Sequence, residues 1–321
     1  MLAETIDRIR GLVPAEQILV VTGKRLRRSV SRAAAALPPS SLLCEPVGKN
    51  TAPCIGWAAL EALHANPDAV MIVLPVDHVV APTSVFRTAV ERAIEIADAS
   101  RSLVTFGIEP TSPSTGYGYL RAGRPASGAA GAVHVRSFHE KPSLVRAKRF
   151  LAAGGYYWNS GMFAWRADVI LEEIRRHLPQ LGSTLERLEQ GRRGRRIGQA
   201  AIDRVYPRLR SISIDHAVME KSDRVLMLPA PFAWSDIGSW DALPDLWPAD
   251  AAGNCTHDPL IAVEAENNVV ATNGKPVALL GVDNLAVVDS GDAILVCARE
   301  RAQDVREVVA ALKAAGLEKL E

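Results

Sequence analysis

At 321 residues, with 48% hydrophobic and 23% charged content, the chain can bury a sizeable core and has the make-up of an ordinary folded protein, not a disordered or fibrous one. Thirty-seven Lys and Arg against 36 Asp and Glu leave a net charge of +1, so no global field draws nucleic acid or acidic lipid, and an anionic ligand must be held by local groups. Four cysteines without CxxC spacing (Cys44, Cys54, Cys255, Cys297) argue against a zinc or redox motif, and the lack of a bilayer-length apolar run argues against a membrane span.

Free buried thiols and a cytoplasmic, leaderless chain are therefore expected, since Glu4, Asp7 and Arg8 interrupt the opening stretch. In that stretch Leu2, Ile6, Ile9 and Val13 recur at helical spacing, and Gly11 and Pro14 punctuate before a buried strand at 18–21. Helices are predicted at 26–37, 51–65 and 85–97, the last with Val85, Ala89, Ile94 and Ala97 turned inward, and strands at 70–74 and 103–106. Continuous apolar strands separated by helices predict an α/β fold, a doubly wound, mostly parallel sheet covered on both faces. From about residue 251 short β pieces at 261–263, 268–270, 277–280, 285–288 and 293–296, closed by a helix at 302–315, predict a small β appendage. The expected division is a core at 1–250 and an appendage at 251–321. No internal repeat is expected, and the charge run RRGRR at 192–196 is taken as a solvated loop.

Several short strings can carry chemistry. VMIVLPVDHVV puts Asp77 and His78 at the carboxyl end of an apolar strand, the edge where open α/β sheets bind ligands. Asp77 suits either a divalent cation or the cap of a turn, and His78 suits a structural role. WSDIGSW offers a second carboxylate, Asp236, which equally fits a helix start. In EPVGKNTAP, Glu45, Lys49, Asn50 and Thr51 bring an acceptor, a cation, an amide and a hydroxyl to a helix N-terminus, where backbone N–H groups favour anions. TGYGYL lets backbone near Gly116, Tyr117 and Gly118 come close to a ligand, or simply turns. FHEKP ends a strand with Glu140, an acceptor for hydroxyls, and Lys141, a point charge for phosphate; WNSGMF adds Asn159 beside Gly161.

Taken in order, EPVGKNTAP, LPVDH, FGIEPTSPSTGYGY, FHEKP, WNSGMF, SIDHAVMEK and WSDIGSW resemble the signature series of the mannose-1-phosphate guanylyltransferases, also called GDP-mannose pyrophosphorylases. The resemblance implies transfer of GMP from GTP to α-mannose 1-phosphate, giving GDP-mannose and pyrophosphate. It implies Mg²⁺ on Asp77 and Asp236, Lys141 at the sugar phosphate, and Glu140, Asn159 and the backbone around Gly116 and Tyr117 at the mannose. Glu45, Lys49, Asn50 and Thr51 fall on the nucleoside side. The appendage resembles the family's short left-handed β-helix, often a contact between subunits, so a homodimer is implied.

Such a reaction is an in-line attack by a sugar-phosphate oxygen on the α-phosphorus. It needs positioning and charge neutralisation and no general base, because the nucleophile is already deprotonated. The family begins with a strand, a loop of the form GGxGTRLWPLS and a PKQ stretch, whereas this sequence opens at MLAETIDRIR, resembling the helix that follows them. The expectation is that the true start lies upstream. Two alternatives accompany it: an inactive or regulatory sugar-nucleotide-binding paralogue, and a nucleotidyltransferase using another base or hexose.

Overall fold

A computed structural model describes residues 1–192, 194–238, 240–245 and 247–317. Arg193 of the RRGRR run, Ser239 of WSDIGSW and Leu246 lie outside the described residues. The chain forms two compact units, Met1–Trp234 and Ser235–Glu321.

The first unit runs α1 (Leu2–Ile9), β1 (Val20–Gly23), α2 (Arg27–Ala33), β2 (Leu42–Glu45), α3 (Thr51–Ala65), β3 (Val70–Val73), β4 (Val79–Ala81), α4 (Thr83–Ser100) and β5 (Leu103–Ile108). It continues through β6 (Tyr119–Pro125), β7 (Val133–His139), α5 (Leu144–Ala153), β8 (Tyr156–Arg166), α6 (Ala167–His177), α7 (Pro179–Gly191), α8 (Gln199–Val205) and β9 (Val225–Pro229), and the boundary falls within the short β10 (Ala233–Ser235). Helix α1 stops before Val13 because Gly11 takes a left-handed φ of 94°, a conformation that glycine adopts without a Cβ penalty.

Strands β3, β8, β5, β9, β7 and β6 lie in that order in one sheet, while β1 and β2 form a separate parallel pair. The α/β class with both faces covered stands, but the mostly parallel direction is corrected. In the described six-stranded sheet β5 and β9 are parallel. Strand β8 is antiparallel to β3, β5 and β6, and β7 is antiparallel to β6 and β9. An apolar run reports burial on both faces and carries no direction. The 11-residue strand β8, YYWNSGMFAWR, meets the same burial while running the other way between β3 and β5.

Side chains alternate between two apolar layers, as the two-residue strand period requires. Leu103, Phe163, Trp165 and Met227 pack with Trp57, Ile170 and Ile174 on one face. Val104, Phe106, Ala164 and Leu226 pack with Phe86 and Val90 on the other. Of the stripe expected on α4, Ala97 is buried, while Val85, Ala89 and Ile94 are half-buried and flank the buried Phe86, Val90, Ala93 and Ile96.

The RRGRR run is also corrected in part, since Arg192 is buried. Its guanidinium meets the buried Glu61 carboxylate of α3 at 3.4 Å and the Leu60 carbonyl at 2.9 Å, and Arg196 reaches Glu61 at 3.1 Å. Cys44 and Cys255 are buried, and Cys54 and Cys297 half-buried. No described helix is long and apolar enough to cross a membrane.

The second unit contains β11 (Cys255–Thr256), β12 (Leu260–Val263), β13 (Val269–Ala271), β14 (Val277–Leu280), β15 (Leu285–Asp289), β16 (Ile294–Ala298) and α9 (Val305–Ala314). Strands β11, β13 and β15 stack in parallel, β12 pairs with β14 in parallel, and β16 closes antiparallel on β15. Buried asparagines bind the rungs: Asn254 Oδ1 accepts from Asn268 N, and Asn268 Nδ2 donates to the Val282 carbonyl, each across a step of 14 residues. That step is a structural repeat in a segment where the sequence shows none.

Candidate functional site

The residues expected on the sugar side converge at the ends of β7 and β8. Asn159 lies where β8 bulges against β5: Thr105 opposes Phe163 and Gly107 opposes Asn159, so β8 spends two extra residues there. Gly161, at φ 69°, makes that bulge possible, and bulges re-aim side chains. The Asn159 amide is held at both ends, accepting from the Thr105 hydroxyl at 2.9 Å and donating to Asp215 Oδ1 at 2.9 Å. Glu140 follows β7; its backbone N–H donates to Glu220 Oε1 at 3.2 Å, and His216 Nδ1 lies 3.2 Å from Glu220 Oε2. A Cβ on Gly118 would stand 2.5 Å from Glu140 Oε2, so this glycine makes room for that carboxylate. Lys141, at φ 44°, is exposed, with Nζ 3.8 Å from Glu140 Oε1.

Burial raises the Glu140 pKa above the usual carboxylate range, and the neighbouring Asp215 raises it further, against the pull of Lys141 and His216. Asp215 is raised too, again first by burial, and is drawn down by hydrogen bonds from backbone and Asn159 and by His216 and Lys141. Two buried carboxyls beside a lysine present acceptor oxygens suited to hydroxyl groups. Asp215, His216 and Glu220 stand within SIDHAVMEK, yet nothing in that string singles them out as candidates. They occupy a one-turn π-helix at Asp215–Met219 and the residue after it, a rare local form that sequence spacing does not reveal.

The residues expected on the nucleoside side stand at the end of β2 and the start of α3. Asn50, at φ 64°, caps the helix by accepting the Thr51 N–H at 2.8 Å. Thr51 Oγ1 accepts from Ile214 N at 2.8 Å, and the Lys49 carbonyl accepts from Ile212 N at 3.2 Å. Glu45 Oε1 accepts from the Tyr206 hydroxyl. Burial raises the Glu45 pKa, and the Tyr206 hydrogen bond opposes it. Segment 212–215 thus touches the Lys49–Thr51 loop at one end and Asn159 at the other.

Asp77 lies beyond β3 with a side chain 73% exposed, 4.0 Å from His78 Nε2. His78 is buried, accepts the Trp234 indole N–H on Nδ1 at 3.0 Å, and receives Arg8 Nη2 on its carbonyl at 3.0 Å, so its structural reading fits. Its Cε1 is 3.7 Å from where a Gly161 Cβ would stand, which sets the Asp77 turn against the β8 bulge. Tyr117 packs edge-on to Trp158 and Trp234, with ring centroids 4.9 and 5.2 Å apart, and Gly116 N donates to Ser114 Oγ at 3.2 Å. In the second unit Asp236 Oδ1 accepts from Gly238 N at 2.9 Å, a turn of its own. Among the described residues no cluster of three or more His, Cys, Asp or Glu forms a ready metal cage.

Comparison with known proteins matches these two units in order. The Nucleotidyl transferase family profile covers residues 1–252, and the MannoseP isomerase/GMP-like beta-helix domain profile covers residues 258–312. Xanthan biosynthesis protein XanB of Xanthomonas campestris pv. campestris strain B100 is 42% identical over 280 residues, 87% of this chain and 58% of the relative. The chain therefore spans 58% of that relative's length. Mannose-1-phosphate guanylyltransferase ManC of Salmonella typhimurium strain LT2 is 40% identical over 329 residues, 98% of this chain and 67% of the relative. A crystal structure described as mannose-1-phosphate geranyltransferase from Thermus thermophilus superposes with a TM-score of 0.84 at 34% identity, covering 97% of this chain and 88% of that one. With a family profile spanning the first unit, a second profile on the β coil, and relatives near 40% identity, the chain belongs to the nucleotidyl transferase family, in its branch with a GMP-like β-helix domain.

Proposed function

We propose that the chain transfers GMP from GTP to α-mannose 1-phosphate, releasing pyrophosphate and forming GDP-mannose. The observation that carries this reading is the convergence of Lys141, Glu140, Asn159 and Asp215 on one sheet edge, in a chain 40% identical to a protein named as that guanylyltransferase. Lys141 offsets the charge of the sugar phosphate, while Glu140, Asp215 and the amide of Asn159 take the hexose hydroxyls. Gly116 and Tyr117 supply backbone and an aromatic wall beside the sugar. Glu45, Lys49, Asn50 and Thr51 take the nucleoside. The phosphate nucleophile needs no base, so these groups accelerate the reaction by fixing an in-line approach and lowering anionic repulsion.

The exposed carboxylate of Asp77 fits a hard divalent cation such as Mg²⁺, which needs one or two protein carboxylates and takes its other oxygens from phosphate and water. Bound there, Mg²⁺ would neutralise charge on the phosphates. For Asp236 the ligand role rests on the WSDIGSW motif. A homodimer and a cytoplasmic setting belong to the same proposal.

The test is pyrophosphate release by the purified chain from GTP, Mg²⁺ and mannose 1-phosphate, run beside UTP, dTTP and ATP. Preference for GTP supports the reading. Preference for another nucleotide reassigns the base, GDP-mannose binding without turnover reassigns the chain to a regulatory role, and neither binding nor turnover overturns both.

A further inference from the structure

The nucleoside-side carboxylate has a partner 161 residues away in sequence. Tyr206 follows α8, is 1% exposed, and directs its hydroxyl onto Glu45 Oε1 at the end of β2. Its ring stands edge-on to Trp57 of α3, with centroids 6.2 Å apart, so the hydroxyl is fixed by packing. The helix before it is fastened to the same strand ends. Gln199 Nε2 donates to the Cys44 carbonyl at 2.8 Å and to Asp203 Oδ1 at 2.9 Å, while Lys24, just after β1, meets Asp203 Oδ2 at 2.8 Å. Gly23 and Glu45 are register partners, so this lacing reaches the ends of both strands.

An ionised carboxylate is an acceptor with about four lone-pair positions. Tyr206 takes one on Oε1, and among the described residues no other side chain donates to Glu45. Half-buried and oriented, the remaining acceptor capacity is directed by the Tyr206 contact rather than left to rotamer averaging. A neighbouring pair of acceptors matches a base edge with two adjacent N–H donors. Guanine presents N1–H beside its 2-amino group; adenine and cytosine pair a donor with an acceptor there, and uracil and thymine offer one N–H between carbonyls.

The geometry points to Tyr206 as a positioning residue that orients the Glu45 carboxylate to select a guanine edge. This deepens the GMP-transfer reading and rests on it. A site built to pair with the 2-amino group discriminates against a base that lacks it, because the acceptor is then left unmatched.

The test titrates the purified chain with GDP-mannose, with its inosine counterpart, which lacks only the 2-amino group, and with mannose 1-phosphate. The wild type is expected to prefer GDP-mannose over the inosine ligand by about tenfold or more. Tyr206→Phe keeps the ring against Trp57 and is expected to lose most of that preference while binding mannose 1-phosphate as before. A parallel loss of affinity for all three ligands marks a merely structural tyrosine and overturns the proposal, as does an unchanged preference. If Tyr206→Phe does not fold, Glu45→Asp, which withdraws the carboxylate by one methylene, must lose the preference; retention overturns the proposal. Failure of the wild type to bind any guanine ligand overturns the parent reading as well, whereas binding with preference intact in Tyr206→Phe overturns this assignment alone.

Discussion

Asn159 donates to Asp215 at 2.9 Å while its carbonyl oxygen accepts from Thr105 at 2.9 Å, so one amide joins β5, β8 and the segment that backs the nucleoside loop. That segment binds the other loop just upstream, at Ile212 and Ile214. The groups proposed for the sugar and those proposed for the nucleoside therefore rest on one short stretch of backbone, an arrangement suited to a reaction whose rate depends on aligning two substrates.

Removing the Thr105 hydroxyl tests the first link. Thr105 is fully buried, and its one hydroxyl hydrogen is shared between Asn159 Oδ1 and the Met162 carbonyl at 3.1 Å. Thr105→Val keeps the shape and leaves the Asn159 oxygen without its donor, at a cost of about 1–3 kcal/mol. Denaturant unfolding should register that loss. The KM for mannose 1-phosphate should rise more than that for GTP, and equal rises would count against the amide as a sugar contact.

The raised carboxyls make stability depend on pH in a definite direction. Glu140 and Asp215 both have folded pKa values above the ordinary carboxylate range, chiefly from burial, with Lys141 and His216 opposing and Glu220 adding to the rise at Glu140. Between the ordinary and the raised values the folded chain keeps protons that the unfolded chain has lost, so stability falls as pH climbs through that window. Asp215→Asn keeps an acceptor for the Asn159 amide and removes the charge. It should raise Tm at pH 7 by about 2 °C or more, flatten the decline in Tm above the ordinary carboxylate range, and weaken mannose 1-phosphate binding. A lower Tm at pH 7 would refute the shift.

Much of this was legible in the sequence, for reasons that particular residues make plain. Helix α3 is found at 51–65 as expected, because Thr51 and Pro53 mark its start and apolar residues fill its length, although the cap itself is Asn50. Strand direction was not legible, since β8 offers the same apolar character whichever way it runs. Asp215 escapes a sequence reading because a π-turn places it against Asn159, 56 residues away, and no local spacing encodes that contact. The asparagine ladder is hidden because Asn254 and Asn268 act through side-chain bonds to backbone, while the intervening residues differ.

The buried pair of Glu61 and Arg192 yields a stability prediction away from the site. Both side chains are about 2% exposed, and Glu61 also accepts the Ile197 N–H at 3.1 Å. Glu61→Ala leaves Arg192 with the Glu189 carboxylate at 2.7 Å and the Leu60 carbonyl, but takes away the acceptor of the Ile197 N–H, and should cost about 1–3 kcal/mol in denaturant unfolding. Glu61→Gln, still an acceptor for Ile197 and Arg192, should cost less. A cost for Ala below about 0.5 kcal/mol would mean that Glu189 holds Arg192 unaided and that water reaches the Ile197 N–H.

Asp77 separates folding from metal binding more cleanly than any buried residue. Its side chain is 73% exposed, and its ionic neighbour, His78 Nε2, is 4.0 Å away, so little of the fold depends on its charge. Asp77→Asn should leave Tm within about 1 °C of wild type, as exposed substitutions usually do. If the carboxylate holds Mg²⁺, it contributes several kcal/mol of charge stabilisation in the transition state, and turnover should drop by about 100-fold. Raising Mg²⁺ should recover part of the loss, because a neutral amide oxygen still coordinates, though weakly. A rate insensitive to the substitution across a Mg²⁺ titration would remove Asp77 from the ligand set while leaving the fold and the sugar-side cluster untouched.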